Sequence, residues 1–513
     1  MAYQSFPYLG FGRGLNLRDK PDTVDPAESI DALNVTFTER GAIETRRGYS
    51  KIVDASVLGL GSFENTGGLK RVLTTNTVGG AERLRAYTVT GGTAIDDSGA
   101  LSDSDAAFSF ARYGTPNNER VYCANGTDVR YFDGSTFTDP NSLSVVVPKG
   151  ESLTVQTSDN RLVSTGFKGT TDGPGGATTS PSHVWFSDPG DPTTWGANNF
   201  VQLTPGDGEK VMGAIAWREL VFVFKESKFF VFYGNSVAGD GTPIFNYRPV
   251  EGGVGLAARF GIAATPNGVY FVGKDGLYVT TGSSAVRVSD PVEPLWSGAA
   301  SDYYTGGMIS DLSSTTLTSL DSVLYMAFAI PNSERRVLVH DTEAGWFSLY
   351  DFPATYIHAF DGSIWFGTDA LYEHKRSYTD DDGAAIDARW RSGWLDFGSP
   401  DVKALRASKM WGRGQVSASI STDFDISTGY PVSITFSLDS ALPQWGGSTW
   451  GGTTWANESE LQPRQRRRAS RGTTFSFAIA GEAPWALHRA THQVRQVRQP
   501  GIEDTTSDSN NAS

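Results

Sequence analysis

Few residues in this 513-residue chain stand at spacings that chemistry would need. Gly268, Gly273 and Lys274 come nearest to a phosphate-binding loop, in which glycines between a strand and a helix let backbone amides surround a phosphate. Here Asp275 stands in the place of the metal-binding hydroxyl, the intervening residues have strand character and no helix pattern follows, so a structural hairpin is expected. Of the six histidines, at 183, 340, 358, 374, 488 and 492, only His488 and His492 are close enough in sequence to share a metal. Such an i, i+4 pair meets on a helix, but no Glu completes a His-Glu-x-x-His pattern, and a surface pair is the expectation. Asp380, Asp381, Asp382 and Asp387 could gather oxygen ligands for Ca²⁺ around Gly383; without the terminal Glu of a calcium loop they predict a solvated acidic turn. Cys123, in the strand-like run Val-Tyr-Cys-Ala, predicts a small buried side chain, and no Gly-x-Ser-x-Gly elbow occurs. No catalytic residue, metal ligand or cofactor is assigned, and no enzymatic activity is expected.

Residues suited to binding other macromolecules stand out more clearly. Arg464, Arg466, Arg467, Arg468 and Arg471 make the densest positive cluster of an acidic chain, either a solvated loop or an ionic contact with an acidic neighbouring subunit or with DNA. Trp445, Trp450 and Trp455 recur at five-residue intervals among glycines. They suit an exposed loop that docks on a partner, or equally a turn that packs on its own domain. Ser187, Asp188, Gly190 and Trp195 resemble the Asp-box turn of sialidase-type propellers, where such residues lock a hairpin at a blade edge. That box is structural in its family, its Asp is displaced here, and the paired carboxylates of glycoside chemistry cannot be singled out among 57 acidic residues.

The elements that must hold these residues are strands. Fifty-eight glycines and 13 Trp, 19 Tyr and 29 Phe, with only 19% charged residues, suit many short strands joined by tight turns. A chain this long exceeds one ordinary core and must divide or repeat. Asx-Gly turns, which supply the positive φ that hairpins need, provide a ruler. Asn125-Gly126 is followed eight positions later by Asp133-Gly134, Asn267-Gly268 by Asp275-Gly276, and Asp361-Gly362 by Asp369-Ala370. Asn125 to Asn267 is 142 positions and Asn267 to Asp361 is 94, near three and two copies of a unit of about 47 residues, the length of a four-stranded propeller blade. The ruler places a hairpin at Leu220–Tyr233 but meets only a Gly/Thr/Pro-rich stretch near 172 and finds the Asp321 hairpin late.

The resulting expectation is an all-β chain. It has an N-terminal arm over 1–32, a β-propeller of six to eight degenerate blades over 33–395 and a C-terminal β-sandwich-like domain over 396–500. A disordered acidic tail over 501–513 ends it. The net charge of -14 opposes general adsorption to nucleic acid or anionic membranes. A single cysteine forbids an intrachain disulfide, and neither a secretory leader nor a membrane-spanning run is present, which predicts a soluble protein folded in a cytoplasm.

Several phrases carry a family resemblance. Ala32-Leu33-Asn34-Val35-Thr36-Phe37, Gly41 and Arg46-Arg47-Gly48-Tyr49 resemble the opening of bacteriophage tail nozzle proteins of short-tailed phages, also called tail tubular protein B; other virion propeller proteins of phages start similarly. Similar phrases follow at Asp159-Asn160-Arg161-Leu162, from Val184 to Pro192, at Val221-Phe222-Val223-Phe224-Lys225, at Trp394-Leu395-Asp396-Phe397-Gly398 and at Arg498-Gln499-Pro500-Gly501. The resemblance implies a virion tail protein assembled as a ring, usually a hexamer, below an adaptor ring. Fibres or a tip protein would attach outside and DNA would pass through the lumen during ejection. The alternative is a receptor- or carbohydrate-binding propeller of a phage tail tip or cell surface, suggested by the aromatic loop and the Asp-box-like turn.

Overall fold

Positive-φ turns alternate with β-branched and aromatic runs along most of the chain, and the result is a series of antiparallel strands. The computed structural model describes residues 4–8, 11–38, 41–102, 107–114, 119–143, 147–237, 243–250, 252–299, 304, 307–398, 401–413, 415–422, 432–437, 464–472, 474–482 and 484–496. Two units divide it, Arg47–Ala385 and a second made of Met1–Arg46 with Ile386–Ser513. Among the described residues no helix is long and apolar enough to cross a membrane.

The first unit is a β-propeller of seven described four-stranded blades. Blades 1 to 6 occupy 59–97, 109–138, 150–202, 211–249, 262–287 and 311–350, and blade 7 occupies 356–374. The first strands of successive blades lie side by side around the axis, and Tyr356–Phe360 of blade 7 meets Gly59–Glu64 of blade 1. Blade 7 has only three strands of its own. Tyr49–Val53, from the start of the unit, pairs with Leu371–His374 as its fourth and locks the ring.

Sequence dictates this at two levels. Asn160, Arg218, Asp321 and Asp361 take φ of 53°, 55°, 54° and 54° at the turn between first and second strands of blades 3, 4, 6 and 7, the left-handed geometry of tight hairpins. Inner strands also carry apolar runs that are buried on both faces. In Leu220–Lys225, Val221 and Val223 pack toward blade 3, while Phe222 and Phe224 pack toward blade 5. Cys123 is fully buried between blades 1 and 2, and burial pushes its thiol well above the usual range.

The turn ruler differs from the structure in its register. Asn267 and Asp361 both mark the first turn of a blade, but Asn125 marks the second turn of blade 2, between Arg120–Ala124 and Val129–Phe132. Both turns of a blade favour Asx-Gly, so the sequence does not distinguish them. The late Asp321 hairpin has a physical cause, since the connection from blade 5 to blade 6 contains the helical turn Pro294–Ser297.

The second unit draws on both ends of the chain, so its limits differ from those expected. Glu28–Leu33 pairs with Asp387–Ser392, and Gln4–Tyr8 pairs with Ala486–Gln496, which places these N-terminal strands in two sheets instead of in a separate arm over 1–32. One sheet runs Arg464–Gly472, Lys403–Arg413, Ala486–Gln496, Ile43–Thr45, Val35–Phe37. The other runs Glu28–Leu33, Asp387–Ser392, Phe475–Glu482, Gln415–Thr422, Val432–Ser437. Phe477 of the second sheet stacks on His492 of the first with ring centroids 3.8 Å apart, as in a sandwich core. Residues 33–46 and 386–395 thus belong here, and the propeller is shorter at both ends than 33–395. Long-range pairing between chain ends leaves no local signal.

Candidate functional site

The propeller axis holds a cavity of about 790 Å³ lined by the first strands. Its hydroxyls are used to hold blades together. Ser152 and Thr154 of blade 3 accept from the amides of Ala214 and Ala216 of blade 4 at 3.0 Å each, and Thr318 of blade 6 accepts from Ala359 of blade 7 at 3.0 Å. Ser319 Oγ donates to Ala264 O at 2.7 Å, and Trp217 Nε1 donates to Thr265 O at 2.7 Å. Phe110, Phe260 and Tyr356 are among the residues that line it. Between blades 1 and 2, Gly61 lets the Phe110 ring approach so closely that a Cβ there would sit 2.4 Å from it.

One pair in this wall has the types of a nucleophile and a base. Ser62 Oγ lies 2.8 Å from His358 Nε2, and burial lowers the imidazole to about 4, which keeps it neutral. The pair links blade 1 to blade 7, repeating in another form the hydroxyl bridges of the other junctions.

A buried lysine ties blade 4 to the connection that enters it from blade 3. Lys225 Nζ is inaccessible and donates to Leu203 O, Thr204 Oγ1 and both Asp207 oxygens at 2.8–3.1 Å. Burial would raise the Asp207 carboxyl, but hydrogen bonds from Lys225, Thr204 and Lys228 outweigh it and hold the group well below the usual carboxylate range. Asp207→Asn is expected to cost about 2 kcal/mol, because a charge-assisted bond to a desolvated ammonium is replaced by a neutral one. The check is the urea midpoint at pH 7, and an unchanged midpoint would show that the clasp contributes nothing.

The sequence-predicted residues are placed as follows. Gly268 begins the strand Gly268–Val272, Gly273 follows it, and Gly273 N bonds Gly276 O at 2.8 Å, a hairpin with no phosphate cradle. In the Asp-box-like stretch Asp188 N bonds Thr194 O, Asp191 caps Thr193 and Thr194, and Trp195 is buried against Trp185 and Tyr122, a structural turn. Asp380 and Asp382 cap the amides of Gly383 and Lys51, and among the described residues no group of three potential ligands could hold a metal ion. His488 and His492 lie on a strand, not a helix, and His492 is buried with its pKa lowered to about 3 by desolvation, which corrects the expected surface pair. Arg464, Arg466, Arg467 and Arg471 fall within the edge strand Arg464–Gly472, paired with Met410, Ser408, Ala407 and Ala404, and Arg468 lies on the same strand, so the cluster is not a loop. Trp445, Trp450 and Trp455, and the tail 501–513, lie outside the described residues.

Sequence reasoning missed the exposed apolar rim. Phe200 on the outer strand of blade 3, Ile244 and Tyr247 on that of blade 4 and Val286 on that of blade 5 are 36%, 43%, 40% and 57% exposed, with Tyr233 beside them at 42%. The signal was present in Pro243–Pro249, where prolines bracket Ile-Phe-Asn-Tyr-Arg as they do in edge strands.

No family model and no curated protein matches the chain. Among solved structures it is similar to BamB from Moraxella catarrhalis, at 10% identity and a TM-score of 0.36 over 68% of this chain and 98% of that one. It is similar to the six-bladed β-propeller lectin of Aleuria aurantia, a fucose-recognising protein, at 14% and 0.32 over 58% and 96%. The WD40 domain of Neurospora crassa Pan2 follows at 4% and 0.35 over 63% and 90%.

Proposed function

We propose that the protein is a structural component of a bacteriophage tail, assembled as a ring of identical subunits that conducts DNA during ejection. The rim of blades 3 to 5 carries this reading: aromatic and aliphatic side chains exposed on consecutive outer strands are what a subunit contact requires. The phrases resembling tail nozzle proteins supply the virion context, the adaptor ring above and the fibres or tip outside.

The axial cavity is not the DNA path in this proposal. A duplex whose major groove alone is about 12 Å wide does not thread a space of about 790 Å³ lined by the side chains of the first strands. The lumen lies between copies of the chain, and a net charge of -14 per copy keeps phosphates from adhering in transit.

Negative-stain microscopy with solution mass measurement tests the assembly. Wild-type protein incubated with its matched adaptor is expected to form closed rings with a central opening. The double substitution Ile244→Glu, Val286→Glu is expected to abolish them with little change in thermal stability, because both side chains are exposed in the single chain and neither belongs to a blade core. Wild type that stays an unattached monomer overturns the proposal.

A further inference from the structure

A second cavity, of about 490 Å³, opens between blades 4, 5 and 6 on the side where their first strands begin. Met212, Leu256, Ile309 and Leu312 give it apolar walls, and Trp296 enters from the helical turn Pro294–Ser297, half-buried and part of the lining. Three charged groups face the same space. Glu226 and Lys274 stand exposed on the turns between second and third strands of blades 4 and 5, and Asp311 begins the first strand of blade 6. Asp311 Oδ1 accepts from Ser313 N at 2.9 Å and Ser313 Oγ at 2.7 Å, which fixes the carboxylate without using its second oxygen in those bonds.

We propose that this cavity binds a neutral saccharide, one pyranose face on the Trp296 ring and its hydroxyls on Glu226, Asp311 and Lys274. The volume falls in the range of small-ligand sites, about 300–1,000 Å³, too small for a folded partner. Two carboxylates against one ammonium repel phosphates, uronates and sialates, so acidic ligands are excluded. A hydroxyl-rich ligand is the class that can donate to both carboxylates, accept from the ammonium and still present a C–H face to an aromatic ring and aliphatic walls. Glu226, Leu256, Lys274 and Trp296 come from four separate connections, and their convergence is a property of the blade junction. The site is independent of the ring contact, since the rim lies on the outer strands.

Saturation-transfer NMR on the full-length protein tests it, with a panel of neutral hexoses and their disaccharides, glucuronate, glucosamine and inorganic phosphate. Transfer to at least one neutral saccharide is expected, with a dissociation constant on the order of 1 mM for a single hexose. Trp296→Ala is expected to weaken binding about tenfold. Glu226→Gln, at an exposed turn position where folding is unaffected, is expected to weaken it several-fold. No transfer to any neutral saccharide, a preference for the charged members of the panel, or wild-type affinity in Glu226→Gln together with Trp296→Ala each overturns the proposal.

Discussion

Gly48→Ala is expected to destabilise the propeller by about 3 kcal/mol or more. A Cβ built at Gly48 lies 1.8 Å from the carbonyl oxygen of Asp380 and 2.7 Å from its nitrogen. Backbone cannot rotate away as a side chain can, so either the 378–382 segment or the closing strand must move. Gly48 is also held on both sides: its amide donates to Tyr378 O at 2.9 Å, and its carbonyl accepts from His374 Nδ1 at 2.8 Å. The next residue, Tyr49, sets its ring edge-on against Phe352 and Phe366, with centroids 5.5 and 5.1 Å apart. Displacing Gly48 therefore disturbs the strand that completes blade 7 and with it the closure of the whole ring. Urea unfolding of the full-length protein at pH 7 measures the loss. A substitution that stays within about 0.5 kcal/mol of wild type would mean that ring closure does not depend on this contact.

Gly48 and Tyr49 belong to one of the phrases that resemble tail nozzle proteins, and residues of several others make comparable contacts, while the phrase at 498–501 lies outside the described residues. Asn34 holds φ of 57°, donates to Asp387 O at 2.7 Å and accepts from Arg46 Nε at 2.8 Å. Arg161 pairs with Asp159 and reaches Ser187 O at 2.8 Å, so the stretches at 159–162 and 184–192 are two halves of one blade edge. Lys225 ends the Val-Phe-Val-Phe run and clasps Asp207. What was legible in the sequence was thus a set of residues that hold strands and turns together, in the second unit at Asn34 and in the propeller at Gly48, Arg161 and Lys225. They are legible because a positive-φ Asn, a buried Arg or a buried Lys has no cheap substitute. The rim and the Trp296 cavity follow other rules. An exposed Ile244 or Tyr247 obeys the same alternation as a buried neighbour, and the cavity is assembled from Met212, Leu256, Trp296 and Asp311, which no periodicity connects. The blade number was ambiguous for a related reason, since first and second turns of a blade share one chemistry.

Mild acid is expected to unfold the propeller well before its carboxylates are protonated. His340 and His358 are both neutral in the folded ring. Burial lowers His340 to about 4 despite its contact with Trp346 O and the nearby Asp341 carboxylate, and burial in the axial wall lowers His358 to about 4. Unfolded, each returns to about 6.5. Below that value the unfolded chain binds protons that the folded one refuses, so stability is fully present above about pH 6.5 and is lost as pH falls toward 4. Each histidine contributes a slope of about 1.4 kcal/mol per pH unit in that window. Asp207 acts in the opposite part of the scale: its carboxyl is held low, so the clasp with Lys225 is intact above about pH 4 and fails only beneath it. The histidines therefore set the acid limit. Urea midpoints at pH 7 and pH 5 are expected to differ steeply for wild type, and His358→Gln, whose amide can still meet Ser62, is expected to remove one proton from the slope. Equal midpoints at the two pH values would mean that these imidazoles are already protonated in the folded ring, and the Ser62–His358 bridge would then have to be a charged one.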